Sequence, residues 1–244
     1  MNDIEYEVKF KQTLKRNPYK GLYIAFEGID GAGKSVQTGL LDKYLQKLGK
    51  KTLVTFQPRR DGPVGALINE ILKGKVKVPS VSLQYLYTAD RIIDHLHHIE
   101  PALKSGKIVI SHRCIWSNLP YGLLDKHMVD FDSNDARVID VAHGLLSLYN
   151  QFTIPDLTFY LRISAKTGIE RLQKMHTGYE LYEKKSKMEK VAKGYEWEIR
   201  QFPDEFVIID ECHHVSAVSF ERVMTEAKAK FILGLTATPY RRDG

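Results

Sequence analysis

The stretch Gly28-Ile29-Asp30-Gly31-Ala32-Gly33-Lys34-Ser35 combines residue types and a spacing that point to chemistry. It reads G-x-x-x-x-G-K-S, and it lies between the apolar run Leu22-Tyr23-Ile24-Ala25-Phe26 and a helical pattern that begins at Val36. Glycines there let successive backbone N–H groups converge on a phosphate chain at the start of a helix, where the dipole favours negative charge. Lys34 can then reach the β- and γ-phosphates, and the Ser35 hydroxyl can ligate Mg²⁺. The expectation is a nucleoside triphosphate cradle over residues 28–36, with Ser35 as the metal ligand. Kinases, GTPases, ATPase motors and helicases all use such a loop, so the rest of the chain has to separate them.

Arg59, Arg91 and Arg113 are expected near the same phosphate-binding edge. Several guanidinium forks at one point suit a second phosphate, because their donors match its oxygens. The competing reading pairs each arginine with a neighbouring acid such as Asp90 or Asp94. Tyr87, one helical turn before Arg91, offers an aromatic face for a base, and Asn118 and Tyr121 offer hydrogen bonds.

The elements that would place these groups follow from periodicity. Apolar runs predict strands over 22–26, 51–56, 107–111, 157–161, 206–209 and 231–236. Helical patterns fall at 36–50, 64–73, 81–103, 134–150, 165–175, 182–197 and 218–229. Strands that alternate with helices and are nearly all apolar predict a parallel sheet covered on both faces. The fold class is therefore α/β: a P-loop NTPase three-layer sandwich, with a mostly parallel sheet of five or six strands and a helical lid. Ligands in such sheets bind at the carboxyl ends of the strands. The loop at 28–35, Arg59, Arg113 and Asp210 each follow a strand and should share that edge. Residues 1–20 read as a charged extension with one short helix ending before Pro18.

The 244 residues, 43% hydrophobic and 27% charged, suit a soluble globular protein of one large domain, or one domain plus a fragment. The net charge of +6 welcomes anions, whether small phosphorylated molecules or nucleic acid. No apolar run approaches the roughly 20 residues that span a bilayer, and the N-terminus lacks the order of a signal peptide. Two cysteines, Cys114 and Cys212, give no disulfide framework, so a cytoplasmic location is expected.

Several motifs in order resemble the thymidylate kinase family over residues 20–200. They are Phe26-Glu27 running into the glycine loop, Thr88-Ala89-Asp90-Arg91, Arg113 with Ser117-Asn118 and Tyr121, Pro155-Asp156-Leu157-Thr158-Phe159-Tyr160-Leu161, and Tyr182-Glu183 followed by Gly194-Tyr195. The resemblance implies transfer of the ATP γ-phosphoryl group to dTMP with Mg²⁺, in a family whose members often form dimers. It implies that Asp30 faces the acceptor, that Arg59, Arg91 and Arg113 clamp its phosphate, and that Tyr87 stacks on thymine. Asn118 and Tyr121 would orient the nucleotide, and Glu183 would approach the sugar as the lid closes. The loop carries no arginine, so the lid must supply the bridging cation, from Arg171, Lys174, Lys184 and Lys185. Two positions depart from the family. His112 stands before Arg113 where the family has Asp, and Val36 stands where Thr is common.

The C-terminal stretch 203–244 resembles something else. Asp210-Glu211-Cys212-His213 and Thr236-Ala237-Thr238 resemble motifs II and III of superfamily 2 helicases. The expected organisation is thus an extension over 1–20, a kinase-like domain over 21–200 and a helicase-like fragment over 203–244. The alternative function is an ATP-dependent nucleic-acid-binding module, or an inactive fusion of the two.

Overall fold

The computed structural model describes residues 11–126, 136–174 and 184–210. Five strands form one sheet: β1 (Tyr23–Glu27), β2 (Thr52–Phe56), β3 (Ile108–His112), β4 (Leu157–Arg162) and β5 (Phe206–Asp210). They are ordered β2-β3-β1-β4-β5, and every pairing is parallel. The chain leaves β1 toward one side of the sheet and later crosses to the other. A crevice therefore opens at the carboxyl end of β1, where such sheets hold their ligands. Register places Phe26 opposite His112 on one side and opposite Phe159 on the other.

Alternation along β1 divides the core. Ile24 and Phe26 pack on one face with α1 (Lys34–Lys47), α2 (Gly62–Leu72) and α8 (Lys185–Gln201). Tyr23 and Ala25 pack on the other with α4 (Glu100–Lys104), α5 (Asn118–Asp125) and α6 (Ala136–Ser147). This is the expected three-layer α/β sandwich. The remaining helices are α3 (Ser80–Asp94) and α7 (Ala165–Lys174).

Three local outcomes differ from the sequence expectation. The helix expected over 81–103 is interrupted by a π-turn at His95–Ile99, between α3 and α4. Pro101 lacks the N–H that would bond four residues back, and its ring crowds that carbonyl, so the chain widens there. Helix α5 was not expected. Its eight residues are all buried, so they show no amphipathic period, and Pro120 is accommodated within the first turn. The short helix before Pro18 is replaced by extended chain. Lys15 bridges to Thr153, and the Asn17 amide donates to Asp156 Oδ2 at 2.7 Å. The strand expected at 231–236 and the helix at 218–229 lie outside the described residues.

One core residue is costly. Glu198 on α8 is fully buried, and neither carboxyl oxygen has a hydrogen-bond partner. Burial, with Glu27 nearby, holds its carboxyl well above the usual range, so it folds in the protonated form. The native state then keeps a proton that the unfolded chain releases above the ordinary carboxyl range, and stability falls as pH rises through that window. Glu198→Met is expected to stabilise the protein by about 1–3 kcal/mol at pH 8, and by less at pH 5. Thermal melts at the two pH values check this; a loss at pH 8, or an equal gain at both, would contradict it.

Candidate active site

Three glycines shape the loop between β1 and α1. Gly28, Gly31 and Gly33 have φ of 140°, 77° and 95°, conformations that side chains resist. A Cβ on Gly31 would also lie 2.4 Å from the carbonyl oxygen of Gly168 on α7. On Gly168 it would lie 2.7 Å from the carbonyl oxygen of Asp30. The two backbones therefore touch directly.

Lys34 is buried, and its ammonium folds back onto the loop. It donates to the carbonyls of Gly28 at 2.9 Å and Ile29 at 2.8 Å, and it lies 3.9 Å from Asp30. Burial, reinforced by the Arg113 charge, lowers its pKa to about 7. Val36, at the start of α1, is 62% exposed.

Arg113 sits at the centre of the acceptor side. It follows β3 with φ of 70°, the one non-glycine residue with positive φ among those described. Its guanidinium is buried and donates to Asp30 Oδ1 at 2.6 Å, Tyr121 Oη at 2.8 Å, Ser117 Oγ at 3.1 Å and Tyr195 Oη at 3.1 Å. Burial would raise the Asp30 pKa, but Arg113 and Lys34 outweigh it and hold the carboxylate below its usual range. Behind the arginine, the fully buried Glu27 carboxylate accepts from the Cys114 N–H at 2.8 Å and the Ser117 N–H at 3.1 Å. The Cys114 thiol, at 3.3 Å, and the hydroxyls of Ser117, at 2.6 Å, and Tyr195, at 2.7 Å, complete the set. Arg113 NH1 itself lies 3.8 Å from Glu27 Oε2, a pair removed from water on both sides.

Arg91, on the buried face of α3 with Tyr87, donates to Asn118 Oδ1 at 2.5 Å and Tyr149 Oη at 3.2 Å, with its guanidinium 5.8 Å from the Tyr87 ring. Arg91 and Arg113 thus converge on residues 117–121. Arg59 behaves differently: it pairs with Asp61 at 2.6 Å and Asp94 at 3.0 Å, the acid-paired reading weighed for it above. Among the four candidate cations, Arg171 donates to the Gly31 carbonyl at 3.2 Å. Lys174, Lys184 and Lys185 are exposed. Glu183 and Tyr182 lie outside the described residues. Sequence reasoning missed Glu27 as a site residue. A lone acid closing an apolar strand, directly before the glycine loop, was the available signal.

His112 is half-buried, 5.5 Å from the Phe56 ring. Burial first, then Lys34 and Arg113, push its pKa well below 6.5, so the ring is neutral. For a magnesium ion, Glu27 is engaged by five donor contacts and Asp30 by Arg113, which leaves the Ser35 hydroxyl as the hard oxygen. Among the described residues no group of three or more His, Cys, Asp or Glu could hold a metal. Such a donor set fits an ion that arrives on a polyphosphate and keeps several waters.

Asp210 ends β5 at the edge of the sheet, with β4 between it and β1. Its 64%-exposed carboxylate pairs with Arg162 at 3.0 Å, away from Lys34. Glu211, Cys212, His213, His214 and residues 234–239 lie outside the described residues.

A parallel sheet in this order, with a phosphate cradle after β1 and two buried arginines beyond it, defines a P-loop phosphotransferase. The chain belongs to the thymidylate kinase family, whose sequence model matches residues 26–221. A thymidylate kinase from Lactobacillus helveticus is 32% identical over 216 residues, covering 86% of this chain and 97% of that protein. One from Caldanaerobacter subterraneus is 29% identical over 216 residues, covering 88% and 98%. The structure of thymidylate kinase from Candida albicans superposes with a TM-score of 0.69 at 26% identity, covering 84% of this chain and 92% of that one. No helix among the described residues is long and apolar enough to cross a membrane.

Two outcomes follow from the site's charges. A bound polyphosphate restores the Lys34 proton, so ATP binding at pH 8 should take up about one proton. The uptake should fade below pH 7 and vanish in Lys34→Met; calorimetry in buffers of different ionisation enthalpy reads it. His112→Asp adds a carboxylate beside Lys34 and Arg113. It should raise turnover at saturating dTMP and lower the Mg²⁺ needed for half-maximal rate, as steady-state titrations would show.

Proposed function

We propose that the chain transfers the γ-phosphoryl group of ATP to dTMP, giving dTDP and ADP. The observation that supports this best is the pair of buried arginines, Arg91 and Arg113, anchored on residues 117–121 across the strand ends from Lys34. In-line phosphoryl transfer needs little covalent help from a protein; it needs positioned charges on both phosphate groups.

In this reading Gly28, Ile29, Asp30, Gly31, Ala32, Gly33, Lys34, Ser35 and Val36 bind ATP. Lys34 leaves the loop carbonyls for the β- and γ-phosphates, and Ser35 would hold a magnesium ion brought by the nucleotide, which would supply charge neutralisation there. Arg91 and Arg113 receive the acceptor phosphate, Arg59 flanks it, and Asp30 keeps the Arg113 fork turned toward the loop. Tyr87 supplies the face for thymine, and Asn118 and Tyr121 orient the nucleotide. Arg171, already at the loop, is the bridging cation, and Lys184 and Glu183 act from the lid. The catalytic unit runs from residue 21 through 200 and is closed by β5 at 206–210, so the start of the helicase-like stretch 203–244 belongs to the kinase sheet, and residues 1–20 are an extension. The enzyme works in the cytoplasm as a homodimer, joined through the exposed apolar stripe of Val81, Tyr85 and Leu96 on and after α3.

ADP release measured with dTMP, and separately with single-stranded DNA, tests the reading. Release that depends on dTMP and ignores DNA is expected. Release driven only by DNA would replace the kinase with a nucleic-acid-dependent ATPase.

A further inference from the structure

Arg59 and Arg91 are joined by two side chains that the proposed function does not use. Gln57, just past the end of β2, is 4% exposed, and its N–H donates to the His112 carbonyl at 2.9 Å. Both ends of its amide are engaged. The carbonyl oxygen accepts from Arg91 Nε at 3.2 Å, and the NH₂ group donates to Asp94 Oδ2 at 3.2 Å. An arginine can only donate and an ionised carboxylate can only accept, so this orientation of the amide is the one that satisfies both.

Asp94 is fully buried on α3. Its Oδ1 accepts from Arg59 NH1 at 3.0 Å, and the Thr55 hydroxyl lies 2.9 Å from each carboxylate oxygen. His98 Nδ1 lies 3.3 Å from the same Oδ1 without forming a hydrogen bond. The carboxylate thus holds one arginine directly and the other through an intervening amide.

That difference has an electrostatic consequence. Arg91 is 5% exposed, and its polar partners, Gln57, Asn118 and Tyr149, are all neutral. A carboxylate in direct contact would offset more of the field that the guanidinium presents to an incoming anion, because the interaction falls inversely with distance. A neutral amide fixes the plane of the guanidinium and leaves its charge for an incoming anion. Arg59, spanned by two acids, has less charge to offer. Hydrogen bonds of this kind polarise one another along a chain in a low-dielectric interior.

We propose that Gln57 and Asp94 are positioning residues of the acceptor-phosphate site, forming a relay that holds Arg59 and Arg91 in one fixed relation while leaving the Arg91 guanidinium with no carboxylate in contact. This rests on the kinase reading. It deepens that reading by tying acceptor affinity to two residues that need not touch the acceptor.

The test uses the full chain and steady-state kinetics with dTMP and ATP varied separately. Gln57→Leu removes both bonds; Gln57→Met does so with a longer, more adaptable side chain, should the first variant fold poorly. Asp94→Asn keeps the shape and removes the charge. Thermal melts confirm folding. The KM for dTMP should rise at least tenfold in the Gln57 variants, with the KM for ATP unchanged and kcat lowered less than threefold. Gln57→Leu/Asp94→Asn should be no worse than the poorer single variant, because both interrupt one relay. An unchanged KM for dTMP, equal losses for both substrates, or multiplicative losses in the double variant would overturn the relay and leave the kinase reading standing. Wild-type protein without dTMP-dependent ADP release would overturn the kinase reading, and the relay with it.

Discussion

A buried carboxylate has to be satisfied, and the Glu27 side chain is where this structure meets that demand. At the end of the central strand, removed from water, it draws donors from two backbone N–H groups, a thiol and two hydroxyls. Four of these contacts come from the turn after β3, and one comes from Tyr195 on α8. The turn can present its N–H groups only if the chain bends sharply at Arg113, which therefore takes a left-handed conformation costing on the order of 1–2 kcal/mol. The bend sends the guanidinium toward Asp30. One unmet charge thus sets the shape of a turn, the docking of a helix and the aim of the site's central arginine.

The fold was largely legible because strands buried on both faces read as apolar runs. The cradle was legible because phosphate binding needs glycines at fixed spacing. What did not show in the sequence were partnerships. Nothing around Arg59 distinguishes it from Arg91, yet one is paired with two acids and the other with neutral groups. Gln57 and Asp94 lie 37 residues apart, and no periodicity joins them. Helix α5 escaped notice for a related reason: a helix buried on every side loses the pattern by which helices are recognised. Asn118 and Tyr121 were named for their hydrogen-bonding groups, and in the structure they accept from Arg91 and Arg113.

The phosphate edge is also less uniformly positive than its count of basic residues suggests. Lys34 carries a lowered pKa, His112 is held neutral, and Arg59 is spanned by acids. The charge left with no carboxylate in contact is that of Arg91, while Arg113 shares its own with Asp30; both are nearly inaccessible to water. Cations crowded into a low-dielectric crevice repel one another, and the protein limits that repulsion by neutralising or discharging the others.

The contact between Gly31 and Gly168 has a mechanical meaning. Where two helices meet through side chains, rotamers yield and small displacements are absorbed. Here a loop and a helix approach backbone to backbone at Gly31 and Gly168, with the Arg171 side chain bonded to the Gly31 carbonyl beside them. Any shift of α7 therefore acts on the peptide units beside the cradle itself, and any change in the cradle is felt at once by the helix. Neither glycine is free to acquire a side chain unless its partner moves away.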